Sequence, residues 1–244
     1  MFNTYQLKQF AEKVIPKKYL RVAGMYSLRL SGLLYTGNTV KCPCCQHSYS
    51  SFASYGYVKR PNVLCRWCTS LERHRALWLY LHEKTTILTD KVKVLHFAPE
   101  HQFQELLKDL PNIDYLSADL DMPTAMVKVD ITDIPFEDNS FDSVQLITML
   151  HHTPDPEHLV REAKRVGKRV IVMEDIYSNQ IQKYLTFAAD SVNNREFIGH
   201  PHSNKTDKAW QALFQANGLR LKYAEYYQFL LFFRQVTYEL ISDD

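Results

Sequence analysis

All five cysteines of the chain lie between Cys42 and Cys68. Cys42 with Cys45, and Cys65 with Cys68, form two CxxC pairs separated by nineteen residues. Each tight CxxC turn presents two sulfurs on one side, and zinc takes four thiolates tetrahedrally. The spacing is that of a four-cysteine zinc ribbon. Such a closed site has no open coordination position, so its expected role is structural, and a module of this size has too little core to fold without the metal. Cys44 is the fifth thiol. It reads as idle, with replacement of a neighbouring ligand as the alternative.

Further along, chemistry-bearing residues gather where apolar runs end. Asp119 closes the run 113–118, about twenty residues after an earlier run ends, which is where nucleotide-binding folds place the acid that grips ribose hydroxyls. Asp121 is a nearby competitor. Leu150-His151-His152-Thr153-Pro154-Asp155 ends another run. His152 is a candidate general base because imidazole titrates near neutral pH. The bland reading is that His151 and His152 cap the strand and line a pocket. Glu174-Asp175 ends a fifth run, and Gly199-His200-Pro201-His202 follows it. Carboxylates and imidazoles at such ends suit a divalent metal or an acceptor group, or else ordinary hydrogen-bonded loop structure.

These residues need elements to hold them. Residues 1–40 read as one or two short amphipathic helices, broken at Pro16 and near Gly24, which pack on the main domain or touch a membrane surface or acidic partner. Residues 41–70 form the zinc-ribbon module, with aromatics among the cysteines. Residues 71–90 hold a connecting helix, opened by a capping box of Thr69 with Glu72 and carrying Leu71, Leu77, Trp78 and Leu81 on its apolar face. From residue 91 to 244 strands alternate with helices. Strands are expected at 92–97, 113–118, 126–129, 141–150 and 169–173, with two more between Leu219 and Leu240. Helices are expected from Pro99 to about Leu110, from Asp155 as cap to Gly167 as terminator, and near 178–192 and 205–217. The fold class is α/β: a doubly wound, Rossmann-like, seven-stranded sheet behind a small N-terminal zinc ribbon, with parallel pairing expected where strands alternate with helices. Ligands of such sheets sit beyond the carboxyl ends of the strands.

The stretch from Asp130 to Val144, DITDIPFEDNSFDSV, resembles the segment joining the third and fourth strands of class I methyltransferases of the type 11 group. The resemblance implies S-adenosylmethionine as cofactor, with Asp130 accepting a hydrogen bond from the adenine amino group and Ile131 packing on the ring. Many relatives show Leu-Glu-His-Val at the end of strand four, so Leu150 would line the cofactor. His151 would take the acidic slot and His152 the histidine slot, facing cofactor and acceptor. The first turn departs from the family, which normally places a Gly-rich loop there. This chain reads His96-Phe97-Ala98-Pro99-Glu100, with no glycine between Gly56 and Gly167. That excludes a phosphate cradle of the dinucleotide type. Adenosylmethionine has no phosphate and carries a sulfonium cation, so His96, a small Ala98 and an acidic Glu100 are assigned to it. The cysteine pairs, Leu71-Glu72-Arg73-His74-Arg75, the first turn and Ser117-Ala118-Asp119-Leu120 together resemble a bacterial group of zinc-ribbon methyltransferases. Its members often accompany genes for surface-glycan or small-molecule tailoring, and the likeness covers roughly residues 40–175.

Composition narrows the classes. At 45% hydrophobic and 13% aromatic residues the chain can bury a full core. A net charge of +2 argues against a protein living mainly on phosphate contacts. No apolar run reaches the roughly 18 residues that span a bilayer, and the start lacks a signal-peptide layout. The expectation is a cytoplasmic methyltransferase with structural zinc, acting on a small-molecule or glycan-like acceptor. The alternatives are an RNA methyltransferase whose ribbon grips nucleic acid through Lys59, Arg60, Arg66, Arg73 and Arg75, and a non-catalytic binding module.

Overall fold

The computed structural model describes residues 17–56, 59–194, 201, 203–229 and 233–242. Pro16, His200 and His202, each singled out above, lie outside them. Two compact units divide the chain, Met1–Arg75 and Ala76–Asp244.

In the first unit, helix α1 (Lys17–Gly32) continues through Gly24, where a break was expected. One helical glycine costs only about 1 kcal/mol, and nothing lies within 4 Å of the space a side chain would take there. A single 3-10 turn, Leu33–Tyr35, follows. Two small antiparallel ribbons come next: β1 (Val40–Lys41) with β2 (Ser48–Tyr49), and β3 (Ala53–Tyr55) with β4 (Arg60–Leu64). Their shared core is small: Cys42, Tyr49, Phe52 and Cys65. Arginines hold the pieces together. Arg66 is buried over the Tyr35 ring at 3.5 Å, donating to Ser51 O and Ser31 Oγ. Arg29 lies over Trp67 at 4.7 Å and donates to the Trp67 carbonyl.

Helix α2 (Glu72–Lys84) spans the division. The expected capping box does not form. Thr69 has left-handed backbone (φ 59), which the cysteine turn requires, and Glu72 pairs with Arg60 at 2.7 Å. His74 Nδ1 instead accepts from the Leu71 amide at 3.1 Å.

The second unit is built on seven strands: β5 (Val92–Phe97), β6 (Ile113–Asp119), β7 (Val127–Lys128), β8 (Ser143–Ile147), β9 (Arg169–Ile176), β10 (Leu219–Phe229) and β11 (Phe233–Ser242). Their order across the sheet is β10-β11-β9-β8-β5-β6-β7. Strands β5 to β9 pair parallel, as expected. β11 runs antiparallel to both β9 and β10, so the sheet is mixed. The register pairs Phe229 with Phe233, and so short a connection can only join antiparallel neighbours, because a parallel crossover needs a dozen residues or more.

Helices α3 (His101–Leu107), α4 (Pro156–Val166), α5 (Gln180–Asn194) and α6 (Asp207–Ala216) complete the unit. Successive strand residues point to opposite faces, which gives two cores. Leu95, Phe97, Val144, Leu146, Val170 and Val172 pack with α4 and α6, around a fully buried Trp210. Val92, Val94, Ile147, Ile171 and Met173 pack with α2 and α3. Helix α4 begins and ends as its sequence dictates: Asp155 accepts from the His158 amide at 3.1 Å, and Pro156 takes the first turn. At Gly167 an added Cβ would stand 2.4 Å from Val144 Cγ2, so only glycine fits.

Candidate functional site

The metal group comes from two matching turns. In the first, the Cys42 amide donates to His47 O (2.9 Å) and the Gln46 amide to Cys42 O (2.8 Å). In the second, Cys65 donates to Ser70 O (2.9 Å) and Thr69 to Cys65 O (3.1 Å). Gln46 and Thr69, each following the second cysteine of its pair, have φ of 62° and 59°. The Sγ atoms of Cys42, Cys45, Cys65 and Cys68 all lie within 4.8 Å of one another. Cys42 to Cys68 is 3.7 Å and Cys45 to Cys65 is 3.6 Å. A zinc tetrahedron with bonds of about 2.3 Å has sulfur–sulfur edges of about 3.8 Å, so the donor set fits the ion. Ser70 Oγ stands 3.3 and 3.2 Å from the sulfurs of Cys42 and Cys68, a second layer of support for thiolates. Hydrogen bonding from Cys44 and Cys45 holds the Cys42 thiol far below its usual range, while bonding to Cys42 pushes Cys45 and Cys65 up. Without a cation the crowded thiols cannot all ionise; a dication between them permits it. Cys44 is not in the four-sulfur group, and its Sγ lies 4.0 Å from the His74 carbonyl.

The other predicted residues distribute themselves along the carboxyl edge of the parallel strands. β5 leaves the sheet at Ala98, whose amide donates to Ala118 O at 3.2 Å and whose φ is +48°. That is the left-handed conformation for which glycine is the usual residue. Glu100 follows in extended conformation at the N-terminal cap of α3, its carbonyl accepting from the Phe103 and Gln104 amides. His96 lies apart from this edge. It is buried between the sheet and α3, with Nδ1 2.8 Å from the Tyr115 hydroxyl and its ring edge-on to Phe103.

At the end of β6, Asp119 Oδ1 accepts from the amides of Asp121 (2.9 Å) and Met122 (2.7 Å). After β7, Asp130 Oδ1 accepts from the Thr132 amide (2.8 Å) and hydroxyl (2.7 Å). These bonds hold the Asp130 carboxyl below the usual range. Each acid is thus oriented by the loop that follows it, and Oδ2 of each accepts no bond from the described residues. A depression of about 310 Å³ lined by Asp119, Asp121, Met122 and Lys128 opens at this end. The larger one, lined by Lys91, Lys93, Asn112 and Asp142, lies at the amino ends of β5 and β6, on the opposite edge; the carboxyl edge is where folds of this kind bind. Ile131 is half-buried against the main core.

The strand-four end is tied by one buried carboxylate. Thr148 turns with φ +50°, donating to Met173 O at 2.7 Å, and Leu150–His152 form a 3-10 turn. Glu174 Oε1 accepts from the amides of Met149 (3.0 Å) and Leu150 (2.7 Å), and Oε2 lies 2.5 Å from His151 Nδ1. Glu174 and Leu150 are fully buried and His151 nearly so, whereas His152 is exposed with its ring 4.1 Å from that of His151. Asp175, beside Glu174 in sequence, accepts from Gln235. The sequence reading flagged Glu174 but gave it no partner within this turn.

It also missed three residues of α4. His158 Nε2 lies 2.8 Å from Thr132 O, Glu162 Oε2 accepts from the Ile134 amide (3.1 Å), and Arg165 donates to Ile134 O, Phe136 O and Asp138. Together they fasten the loop that carries Asp130. The available signal was their spacing of four and three, a polar stripe beside the buried Leu159, Val160, Ala163 and Val166.

Comparison with known proteins agrees with this architecture. Residues 93–170 match the methyltransferase domain family, a span running from β5 into β9. Among solved structures, the PH0226 protein of Pyrococcus horikoshii OT3 superposes with a TM-score of 0.52 at 15% identity, over 72% of this chain and 93% of that one. The YcgJ protein of Bacillus subtilis gives 0.51 at 15% identity, over 70% and 99%. The (4+2)-cyclase SpnF gives 0.51 at 12% identity, over 69% and 81%. Identities this low establish a shared fold. No curated protein matches the chain significantly. The match over residues 93–170 is thus to a methyltransferase domain, and the seven-stranded sheet shares its fold with these solved structures. Ahead of that span in the sequence, Cys42, Cys45, Cys65 and Cys68 form a group of zinc-liganding geometry.

Proposed function

We propose that the protein transfers a methyl group from S-adenosylmethionine to a small-molecule or glycan-like acceptor, with a structural zinc ion in its N-terminal ribbon. The observation that carries this reading is the carboxyl edge itself. A left-handed turn at Ala98 is followed by two carboxylates, Asp119 and Asp130, each fixed by its own loop with one oxygen unused. Asp119 suits ribose hydroxyls and Asp130 the adenine amine. The acids Glu100, Asp119 and Asp130 suit a cofactor that is cationic and free of phosphate.

When bound, that cofactor supplies an electrophilic methyl group, and positioning supplies most of the advantage. The residues of this chain orient the acceptor and take its proton. Glu174 fixes the His151 ring through Nδ1, which makes the second ring nitrogen the basic one, and a buried carboxylate stabilises the imidazolium that forms. His151 therefore has the orienting partner of a general base. His152, exposed beside it, is the solvent-side member of the pair.

The RNA reading is disfavoured by the ribbon's own arginines. Arg60 pairs with Glu72, Arg66 is buried over Tyr35, and Arg75 donates to Val63 O and Ser70 O over the Phe52 ring. They are engaged in holding the module together.

The test is calorimetric titration of zinc-loaded protein with S-adenosylmethionine and S-adenosylhomocysteine. Binding of micromolar order is expected. Asp130→Asn keeps an acceptor for Thr132 and weakens binding by about tenfold, while Asp130→Ala abolishes it. A folded wild-type chain that binds neither compound overturns the reading. Because a cyclase shares the fold, a methylated product is the final requirement.

A further inference from the structure

The small net charge of the chain hides a sharp partition. Residues 1–75 carry twelve lysines and arginines against two acids, a net of +10; residues 76–244 carry the other seventeen bases and twenty-five acids, a net of −8. Between Lys13 and Leu71 there is no acidic residue at all. The zinc ribbon accounts for only part of this surplus, since Arg60, Arg66 and Arg75 are engaged within it. Lys17, Lys18 and Arg21 belong to α1, as does Arg29, which is engaged with Trp67, and Lys41 and Lys59 are exposed on the ribbon.

The same helix carries an apolar stripe that no other described residue covers. Tyr19, Val22, Tyr26, Leu30 and Leu33 recur every three or four residues, with Leu34 beside them, and all are exposed; Leu33 and Leu34 are 71% and 85% exposed. That spacing puts them on one side of a helix. Uncovered leucines on a helix rich in bases and free of acids describe an element that lies in a lipid interface, apolar side in the acyl boundary and bases among headgroups.

We propose that α1 and the 3-10 turn after it form a docking surface for an anionic phospholipid bilayer. Charge complementarity selects this occupant. A second copy of the chain would bring two units of net +10 together. Residues 1–16 carry Lys8 and Lys13 against Glu12, and so add to the same charge. Tyr19 and Tyr26 have rings that single-stranded RNA can stack on, but Val22, Leu30, Leu33 and Leu34, the larger part of the stripe, have none and suit acyl chains instead. The proposal does not depend on the methyl-transfer reading, because its readout is binding.

The experiment is flotation of the full-length, zinc-loaded protein with vesicles of phosphatidylglycerol and, separately, of phosphatidylcholine. The expected result is flotation with the anionic vesicles only, weakening as salt is raised. The double variant Leu33→Ser/Leu34→Ser should partition at least about tenfold more weakly, with unchanged zinc content and circular dichroism. Equal flotation with both lipids, or with neither, overturns the proposal, as does a double variant that floats like the wild type. Three other results overturn it by naming a different occupant: a dimer that the double variant dissolves, single-stranded RNA bound more tightly than the vesicles, and flotation seen only after residues 1–16 are removed.

Discussion

At Ala98 the backbone adopts a conformation that a side chain resists. Its φ of +48° is left-handed geometry, for which glycine is the usual residue. Ala98→Gly should stabilise the second unit by about 1 kcal/mol, raising its melting temperature by about 2–4 °C, without weakening cofactor binding. Differential scanning calorimetry checks the first part and titration the second. Glu174 has the opposite character, since removing its side chain strands the buried amides of Met149 and Leu150. Glu174→Ala should cost about 3 kcal/mol or more, read as a lower urea midpoint. Neither role is visible in residue types. A φ angle leaves no mark on an alanine, and a carboxylate whose partners are backbone amides has no partner letter to find. The grouping of Cys42, Cys45, Cys65 and Cys68, by contrast, was legible because two CxxC turns at ribbon spacing have few other uses. His96 shows the limit of motif alignment, which gives a position in the loop and not the face of the sheet on which a side chain lies.

Helix α4 is the element that joins the fold to the candidate cofactor edge. Its apolar residues fill the core while His158, Glu162 and Arg165 hold the loop from Thr132 to Asp138. Hydrogen bonding to Arg165 holds the Glu162 carboxyl below its usual range. A carboxyl depressed in the folded state stabilises the fold above its unfolded value, about 4.3, and loses that contribution as pH falls through the folded value. The urea midpoint should therefore fall below about pH 4.5, and Glu162→Gln should flatten that acid limb. A midpoint as steep in the variant as in the wild type refutes this role. At the far end of the helix, Gly167→Ala should destabilise by about 1–3 kcal/mol through its clash with Val144. The ends of α4 were readable because a capping aspartate, a first-turn proline and a closing glycine are all local signals. The run of α1 through Gly24 was not, since whether a glycine interrupts a helix depends on what surrounds it.

For the molecule as a whole, the division after Arg75 matters most. Among the described residues, the buried cluster of the two ribbons is Cys42, Tyr49, Phe52 and Cys65, two of them members of the four-cysteine group. Chelation should unfold the first unit and leave the sheet of the second intact. Limited proteolysis after chelation should then degrade residues 1–75 and spare 76–244. The variant Cys45→Ser should hold no zinc where the wild type holds one ion per chain, and Cys44→Ser should hold one. Sequence patterning anticipated the seven-stranded doubly wound sheet but not the place of its last strand, because alternation of strand and helix fixes neighbours in the chain and says little about which neighbour is inserted between which. The inserted strand is β11, with Val236, Tyr238 and Leu240 buried and a partner on either side. That arrangement sets a timetable for a chain emerging from the ribosome. Until residues 233–242 are free, β9 presents an open row of amides and carbonyls, and an open strand edge invites pairing with foreign strands. The nascent protein therefore passes through an adhesive stage between the emergence of β9 and that of β11, and shielding by a chaperone has most to offer in that interval.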